Sequence, residues 1–297
     1  VPPVLAELAV AWYAGAARDL PWRKPDTTPW GVLVSEVMLQ QTQVSRVTPV
    51  YSEWLRRWPT PDRLAAEPAG VAIHAWGRLG YPRRALRLHQ CATAITQRHG
   101  GLVPDDVALL LALPGIGAYT ARAVAVFAFG QRQPVVDTNV RRLVARAHSG
   151  LPEAGPATTA ADFLLVEGLL PTRPALAARA SIAFMELGAL VCTARDPSCD
   201  VCPLRRSCAW HRAGRPLAAT PGIRRTQRYQ GTDRQCRGTL LALCRAAAPA
   251  TVPRSVLDEA WPEPVQRDRA LAGLIEDGLI VNPKYGHYGL PGMRSDG

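Results

Sequence analysis

The chain has 297 residues, 47% hydrophobic and 20% charged, which is enough apolar material for one large core or two modest ones and too much for a disordered chain. No run of eighteen apolar residues offers a membrane span, and the first twenty residues, with Glu7, Trp12 and Tyr13 at helical spacing, lack the basic flank and apolar block of a secretory leader. Lys+Arg number 35 against 24 Asp+Glu, a formal charge of +11 that points to an anionic partner, the commonest large one being a nucleic-acid backbone.

From residue 4 to about 210 the apolar residues recur three and four apart. This spacing predicts helices over 32–50, 83–95, 108–113, 120–129, 140–147, 160–170 and 174–191, with no stretch alternating long enough to need a sheet. Between two of these helices lies Leu113-Pro114-Gly115-Ile116-Gly117-Ala118-Tyr119-Thr120-Ala121. Pro114 and Gly115 end one helix and Gly117 opens the next, where unpaired amides can face a phosphate. That is a helix–hairpin–helix signature, and its carbonyls can also hold a cation that bridges to phosphate. Farther on, Cys192, Cys199, Cys202 and Cys208 form C-x6-C-x2-C-x5-C within seventeen residues. In an intracellular chain such a cluster predicts a metal site, either zinc or a [4Fe–4S] cube. Cys91, Cys236 and Cys244 stand alone in helical periods and read as small buried hydrophobes. Residues 213–235, rich in Arg, Pro, Gly and Thr, read as a linker. Helices over 237–246, 254–260 and 266–277, then short strands at 279–281 and 288–290, predict a winged-helix-like module over 236–297.

Two carboxylates stand out. Glu36 shares a helical stripe with Val32 and Leu39, an apolar setting that raises a carboxyl pKa and favours a proton donor. Asp137 follows Val135-Val136 and precedes a helix, where it caps the first turn and stays ionised.

The order of Glu36 helix, hairpin, Asp137 and four cysteines resembles the helix–hairpin–helix base-excision glycosylases. Within them, Val34-Ser35-Glu36-Val37-Met38-Leu39-Gln40-Gln41-Thr42-Gln43-Val44 resembles the MutY-type adenine glycosylases, a likeness that covers roughly residues 10–210. The resemblance implies a mainly α fold with a glycosylase catalytic region over 1–212. In it a six-helix barrel spans about 27–132, and an iron–sulfur cluster domain is built from the N-terminal helix and about 133–212. It implies a [4Fe–4S] cluster on Cys192, Cys199, Cys202 and Cys208. It also implies a monovalent cation on the carbonyls of Leu111, Leu113 and Ile116, with Gly115 and Gly117 meeting the DNA backbone.

Catalytic roles carry over in the same way. Glu36 protonates adenine and later helps to activate water, Asp137 stabilises the sugar cation, and Asn139 supports that charge. Tyr119 stands where the related endonuclease III enzymes carry a lysine, so base release without strand cleavage is expected. The adenine has to flip out of the duplex. Arg18, Trp22, Arg23 and Leu39 match adenine-pocket positions, and Gln41, Thr42, Leu79 and Tyr81 match positions that insert or meet the opposite base.

Three departures appear. Thr138 replaces a frequent glycine, Pro82 a second aromatic, and Ile182 a glutamate or glutamine facing adenine. The family usually continues into a Nudix-like domain that reads 8-oxoguanine, whereas 237–297 is too short for one. A winged helix there offers DNA Arg245, Arg254, Arg267 and Arg269, or serves an unknown partner, and weaker discrimination against A:G or A:C is expected. The expected substrate is double-stranded DNA with adenine opposite 8-oxoguanine or guanine. The chain is expected to act as a monomer on the nucleoid of a bacterial cytoplasm, with no membrane association. A related glycosylase for T:G mispairs, or a DNA-binding homologue without catalysis, are the alternatives.

Overall fold

The computed structural model of the chain describes residues 2–156, 158–217 and 229–293, so the centre of the expected linker, 218–228, lies outside the described residues. Two compact units are present, one from residues 1–36, 105–112 and 116–223, the other from 37–104, 113–115 and 224–297.

The first unit is entirely helical among the described residues. Its centre is the helix Pro174–Leu190, which packs on Pro2–Ala16 and on Thr138–Ala147. Small residues make that packing close. Ala177, Ala180 and Ala183 are fully buried among Leu5, Ala9, Val140, Leu143 and Phe184. At Gly188 a Cβ would stand 2.6 Å from the Asn139 carbonyl oxygen, so only glycine lets the two helices touch there. Local signals start the surrounding helices. Asp137 caps Thr138–Ala147, and Thr159 with Asp162 forms a reciprocal capping box on Ala160–Leu169.

The second unit opens with Val44–Arg57, Pro61–Ala65, Ala69–Ala75 and Arg83–Arg98. Trp54, Trp58 and Trp76 are buried, with edge-on ring pairs at 4.7 Å and 5.7 Å. The expected helix over 32–50 is in fact two, Pro29–Leu39 and Val44–Arg57. The break comes at Gln41, whose φ is +55°, a conformation that no glycine or proline announces. Apolar periodicity continues on both sides of the break and conceals it.

The unit closes with Asp233–Ala247, Arg254–Ala260 and Pro264–Glu276 and a three-stranded antiparallel sheet. Strands β1 (Val252–Pro253), β2 (Val281–Lys284) and β3 (His287–Gly289) take the order β1-β3-β2, with Val252 opposite Tyr288 and Val281 opposite Gly289. This is winged-helix topology with a two-residue first strand too short to read from sequence, and the hairpin strands sit one to three residues from their expected places. Residues 224–297 group with 37–104 rather than forming a unit of their own.

Candidate active site and cysteine cleft

Glu36 sits on the helix Pro29–Leu39, whose first turn is held by Gly31 N donating to Thr28 Oγ1. Its side chain is buried. Burial pushes the carboxyl up to about 7. The Tyr119 hydroxyl, which hydrogen-bonds it, pulls it down, the Asp137 charge pushes it up again, and Arg23 opposes. A carboxyl so placed holds its proton near neutral pH and can still surrender it. The Tyr119 ring extends from the first turn of Ala118–Phe129, its hydroxyl also 3.6 Å from the Met185 sulfur.

Asp137 is positioned by the buried pair Val135 and Val136 and by the helix it caps. One carboxyl oxygen accepts from Val140 N at 2.7 Å and the other from Asn139 Nδ2 at 2.7 Å. Burial raises its pKa, and these two donors oppose the rise. Glu36, Tyr119 and the Asp137–Asn139 pair, far apart in sequence, therefore meet in the first unit, with two carboxyls in different settings.

Asn139 is in turn held by Arg142, whose Nη2 donates to Asn139 Oδ1 at 2.8 Å and to Gly188 O at 2.6 Å, while Nε reaches Cys192 O at 2.7 Å. One guanidinium thus ties the Asp137–Asn139 pair to the first cysteine of the cluster. Arg142 had no motif to reveal it.

Arg18 and Arg23 converge on a carboxylate, Glu186. Arg18 forks onto both oxygens at 2.8 Å and 2.7 Å, and Arg23 Nη2 joins at 2.9 Å. Burial alone would raise the Glu186 carboxyl, but the bonds from Arg18 and Arg23 override it and hold it down to about 2. Trp22 is buried beside them in sequence, and Ile182 lies one helical turn before Glu186. Leu39, at the end of the Glu36 helix, is half-buried and belongs to the second unit. No motif marks Glu186 in the sequence, where its four-residue spacing from Ile182 is the available signal.

The four cysteines lie at the end of the first unit. Cys192 follows the helix Pro174–Leu190, Cys199 begins the single turn Cys199–Val201, Cys202 follows it, and Cys208 caps Ala209–Arg212. With Leu143, Ala147, Leu204 and Trp210 they line a cleft of about 360 Å³ of empty space, its mouth included. Arg146 spans the wall, with Nη1 3.5 Å from Cys192 Sγ and 2.7 Å from Thr193 O, and its guanidinium 4.7 Å above the Trp210 ring. Burial, backed by the neighbouring thiols, pushes the Cys202 thiol up to about 11 and raises that of Cys208.

The hairpin joins the helices Val107–Leu111 and Ala118–Phe129. Leu113 and Ile116 are buried, Leu111 is exposed, and Gly115 has φ +78° with a Cβ position 2.7 Å from Arg87 Cβ. Gly117 is extended, with nothing within 4 Å of a Cβ, and no side chain caps the amides that follow it.

Of the remaining residues, Gln41 and Tyr81 both have positive φ, +55° and +47°, and both are exposed. Leu79 and Thr42 are buried. Arg84 connects them. Its Nη2 donates to Thr42 Oγ1 at 2.8 Å and Gly80 O at 3.1 Å, its Nη1 to Met38 O at 2.9 Å, and its guanidinium lies 5.4 Å from the Tyr81 ring. An arginine in an amphipathic helix gives no sign of such a role in sequence.

Residues 34–166 match the HhH-GPD superfamily base excision DNA repair protein family. The adenine DNA glycosylase of Mycobacterium tuberculosis is 53% identical over 284 residues, 95% of this chain and 92% of that protein. The chain belongs to the adenine DNA glycosylase family. That relative aligns through the winged-helix module as well, since 95% of the chain cannot be covered without it. A thermostable thymine-DNA glycosylase structure is similar with TM-score 0.66 and 26% identity over 71% of this chain and 97% of that one. An endonuclease III trapped covalently on DNA shares the fold, with TM-score 0.60 and 24% identity over 71% and 95%.

The cysteine cleft brings Cys192, Cys199, Cys202 and Cys208 together on one short segment. Thiols this reluctant to ionise need a cationic centre to become ligands. Four thiols lining one cleft are a donor set that an iron–sulfur cluster or a zinc ion takes. No helix among the described residues is long and apolar enough to cross a membrane.

Proposed function

We propose that the chain excises adenine mispaired with 8-oxoguanine or guanine in double-stranded DNA and leaves an abasic site without cutting the strand. The buried Glu36 carboxyl, held near 7 beside an aspartate that caps a helix, carries this reading. Breaking the N-glycosidic bond leaves positive charge on the sugar and needs a protonated base as leaving group. Glu36 donates that proton. Asp137, braced by Val140 N and Asn139, faces the sugar cation, and the Glu36 carboxylate then takes a proton from the water that completes hydrolysis. Tyr119 holds Glu36 by its hydroxyl and offers no amine, so no Schiff base forms and the strand stays intact.

DNA is the partner, and the positive charge of the chain supplies long-range attraction to it. The amides after Gly115 and Gly117 take a phosphate, with a monovalent cation on the carbonyls of Leu111, Leu113 and Ile116. Gln41, Thr42, Leu79 and Tyr81 meet the space left by the flipped adenine, and Arg18, Trp22 and Arg23 contact the adenine itself, the two arginines through the shape Glu186 imposes on them. Cys192, Cys199, Cys202 and Cys208 would hold a [4Fe–4S] cluster through their sulfurs and so tie down the 192–208 loop.

The test uses a duplex labelled on the adenine strand opposite 8-oxoguanine, with half of each reaction treated with hot alkali. Cleavage only after alkali is expected, and faster than in duplexes with adenine opposite thymine. Bound but uncut DNA in both halves would overturn the assignment, and a T:G duplex in parallel would reveal a thymine specificity.

A further inference from the structure

The winged-helix module carries no net charge of its own. Residues 229–297 hold eight basic and eight acidic side chains, so the entire +11 resides on residues 1–228. The four arginines that sequence offered to DNA are already engaged. Arg254 pairs with Asp258 at 2.6 Å and with Asp268, and Arg269 with Asp233 at 2.7 Å. Arg267 is buried, with Nε 2.7 Å from Asp258 and Nη1 2.8 Å from Trp261 O. Arg245 points away from any outer face and into residues 73–77. Such a module is poorly equipped to read DNA.

Its inner face has a definite target. Arg245 donates from Nε to Ile73 O at 3.0 Å and from Nη1 to Gly77 O at 2.7 Å. Gly70 N donates to Pro291 O at 2.8 Å, and a Cβ on Gly70 would stand 2.6 Å from that oxygen. Asp277 bridges Arg237 of the module to Arg83, the latter at 3.3 Å. Arg234 lies 5.1 Å from the Tyr81 ring, on which Arg84 also rests. These grips fall on both sides of a segment that needs support, because Gly77, Gly80 and Tyr81 have φ of +53°, +83° and +47° within five residues. Left-handed backbone at a bulky side chain persists only where its surroundings impose it.

We propose that the winged-helix module is an internal brace that sets the 77–81 loop for mispair engagement, with Arg245 as its positioning residue and without contacting the mispair itself. The inference rests on the reading of Tyr81 as an element that meets the mispair. Arg245 satisfies two carbonyls at the end of Ala69–Ala75 and the turn beyond it, fixing where the strained loop departs. Arg234 then limits the Tyr81 ring from the side.

The test is a double-mutant cycle on the full cluster-loaded chain, read as the ratio of affinities for a duplex with an uncleavable adenine analogue opposite 8-oxoguanine and for a matched duplex. Arg245→Met is expected to lower that ratio about tenfold with matched-duplex affinity unchanged, since two buried hydrogen bonds are lost. Arg245→Lys should recover part of it. Tyr81→Ala should lower the ratio similarly, and Arg245→Met should add little on top, because both changes remove one function. Fully multiplicative losses, or a wild-type ratio in Arg245→Met, would overturn the brace while leaving the mispair role of Tyr81 intact. An unchanged ratio in Tyr81→Ala would overturn that role, and the brace with it. Should Arg245→Met fail to fold, the exposed Arg234→Ala serves instead, with a loss of about threefold expected and a wild-type ratio counting against the brace.

Discussion

Substituting Glu36→Gln keeps the volume and hydrogen-bonding capacity of the side chain facing Tyr119 and removes only its titration. In the folded protein the carboxyl titrates near 7 instead of 4.5, chiefly through burial. The folded state therefore binds the proton more tightly than the unfolded chain does. Relative to the glutamine variant, the wild type has its full stability below about pH 4.5 and loses it as pH rises to about 7. A difference of about 2.5 pH units at about 1.36 kcal/mol each sets a ceiling of about 3.4 kcal/mol, and complete burial leaves little solvent screening to reduce it. About 1 kcal/mol of that is lost by pH 5 and nearly all by pH 8, so the wild type should fall about 2.5 kcal/mol relative to Glu36→Gln between these values. Urea unfolding of both proteins at pH 5 and pH 8, followed by far-ultraviolet circular dichroism, measures the gap. Single-turnover excision on the same preparations should drop at least about 100-fold in the variant. A stability gap identical at both pH values would refute the raised carboxyl. A changing gap with undiminished excision would leave Glu36 buried and titrating but without a part in the chemistry.

Glu186→Gln leaves Arg18 and Arg23 without their shared carboxylate and should cost about 3 kcal/mol at pH 7. Because Glu186 is held down to about 2, that cost should shrink as pH falls from about 4.5 toward 2, and a thermal melt series in acid checks it. Gly188→Ala forces a Cβ to within 2.6 Å of the Asn139 carbonyl oxygen. A loss of about 2 kcal/mol by denaturant titration should accompany at least tenfold slower excision as Asn139 moves off Asp137. Cys202→Ala should abolish bound iron and the broad absorbance near 400 nm, whereas Cys91→Ala, equally deprived of a thiol but not part of the cleft lining, should retain both when iron per chain is assayed.

Much of this protein is written in short-range pattern. Helices of the first unit follow from apolar spacing, and Asp137 caps through a bond to a residue three positions on, so two of its features were legible together. The cysteine spacing likewise names its cleft, because all four fall on one short loop. Local physics also started the hairpin at Gly115 and Gly117. The pKa of Glu36 was readable only as a direction, since an apolar helical stripe predicts burial but not which side chains close over it.

Where outcomes depended on distant partners, the sequence was silent. Gln41 breaks an apparently continuous helix in a left-handed conformation that non-local bonds from Arg84 hold on both sides, to Met38 O and to Thr42 Oγ1. Composition made arginine a token of DNA, yet Arg245, Arg254, Arg267 and Arg269 are neutralised or buried by carbonyls and carboxylates that only folding brings within reach. Periodicity and spacing record what a residue meets within a turn or two of its own helix. Charge pairing, backbone strain and the pKa of a buried acid are set by distant neighbours, Arg18 and Glu186 standing 168 positions apart, and they exist only once the chain has packed.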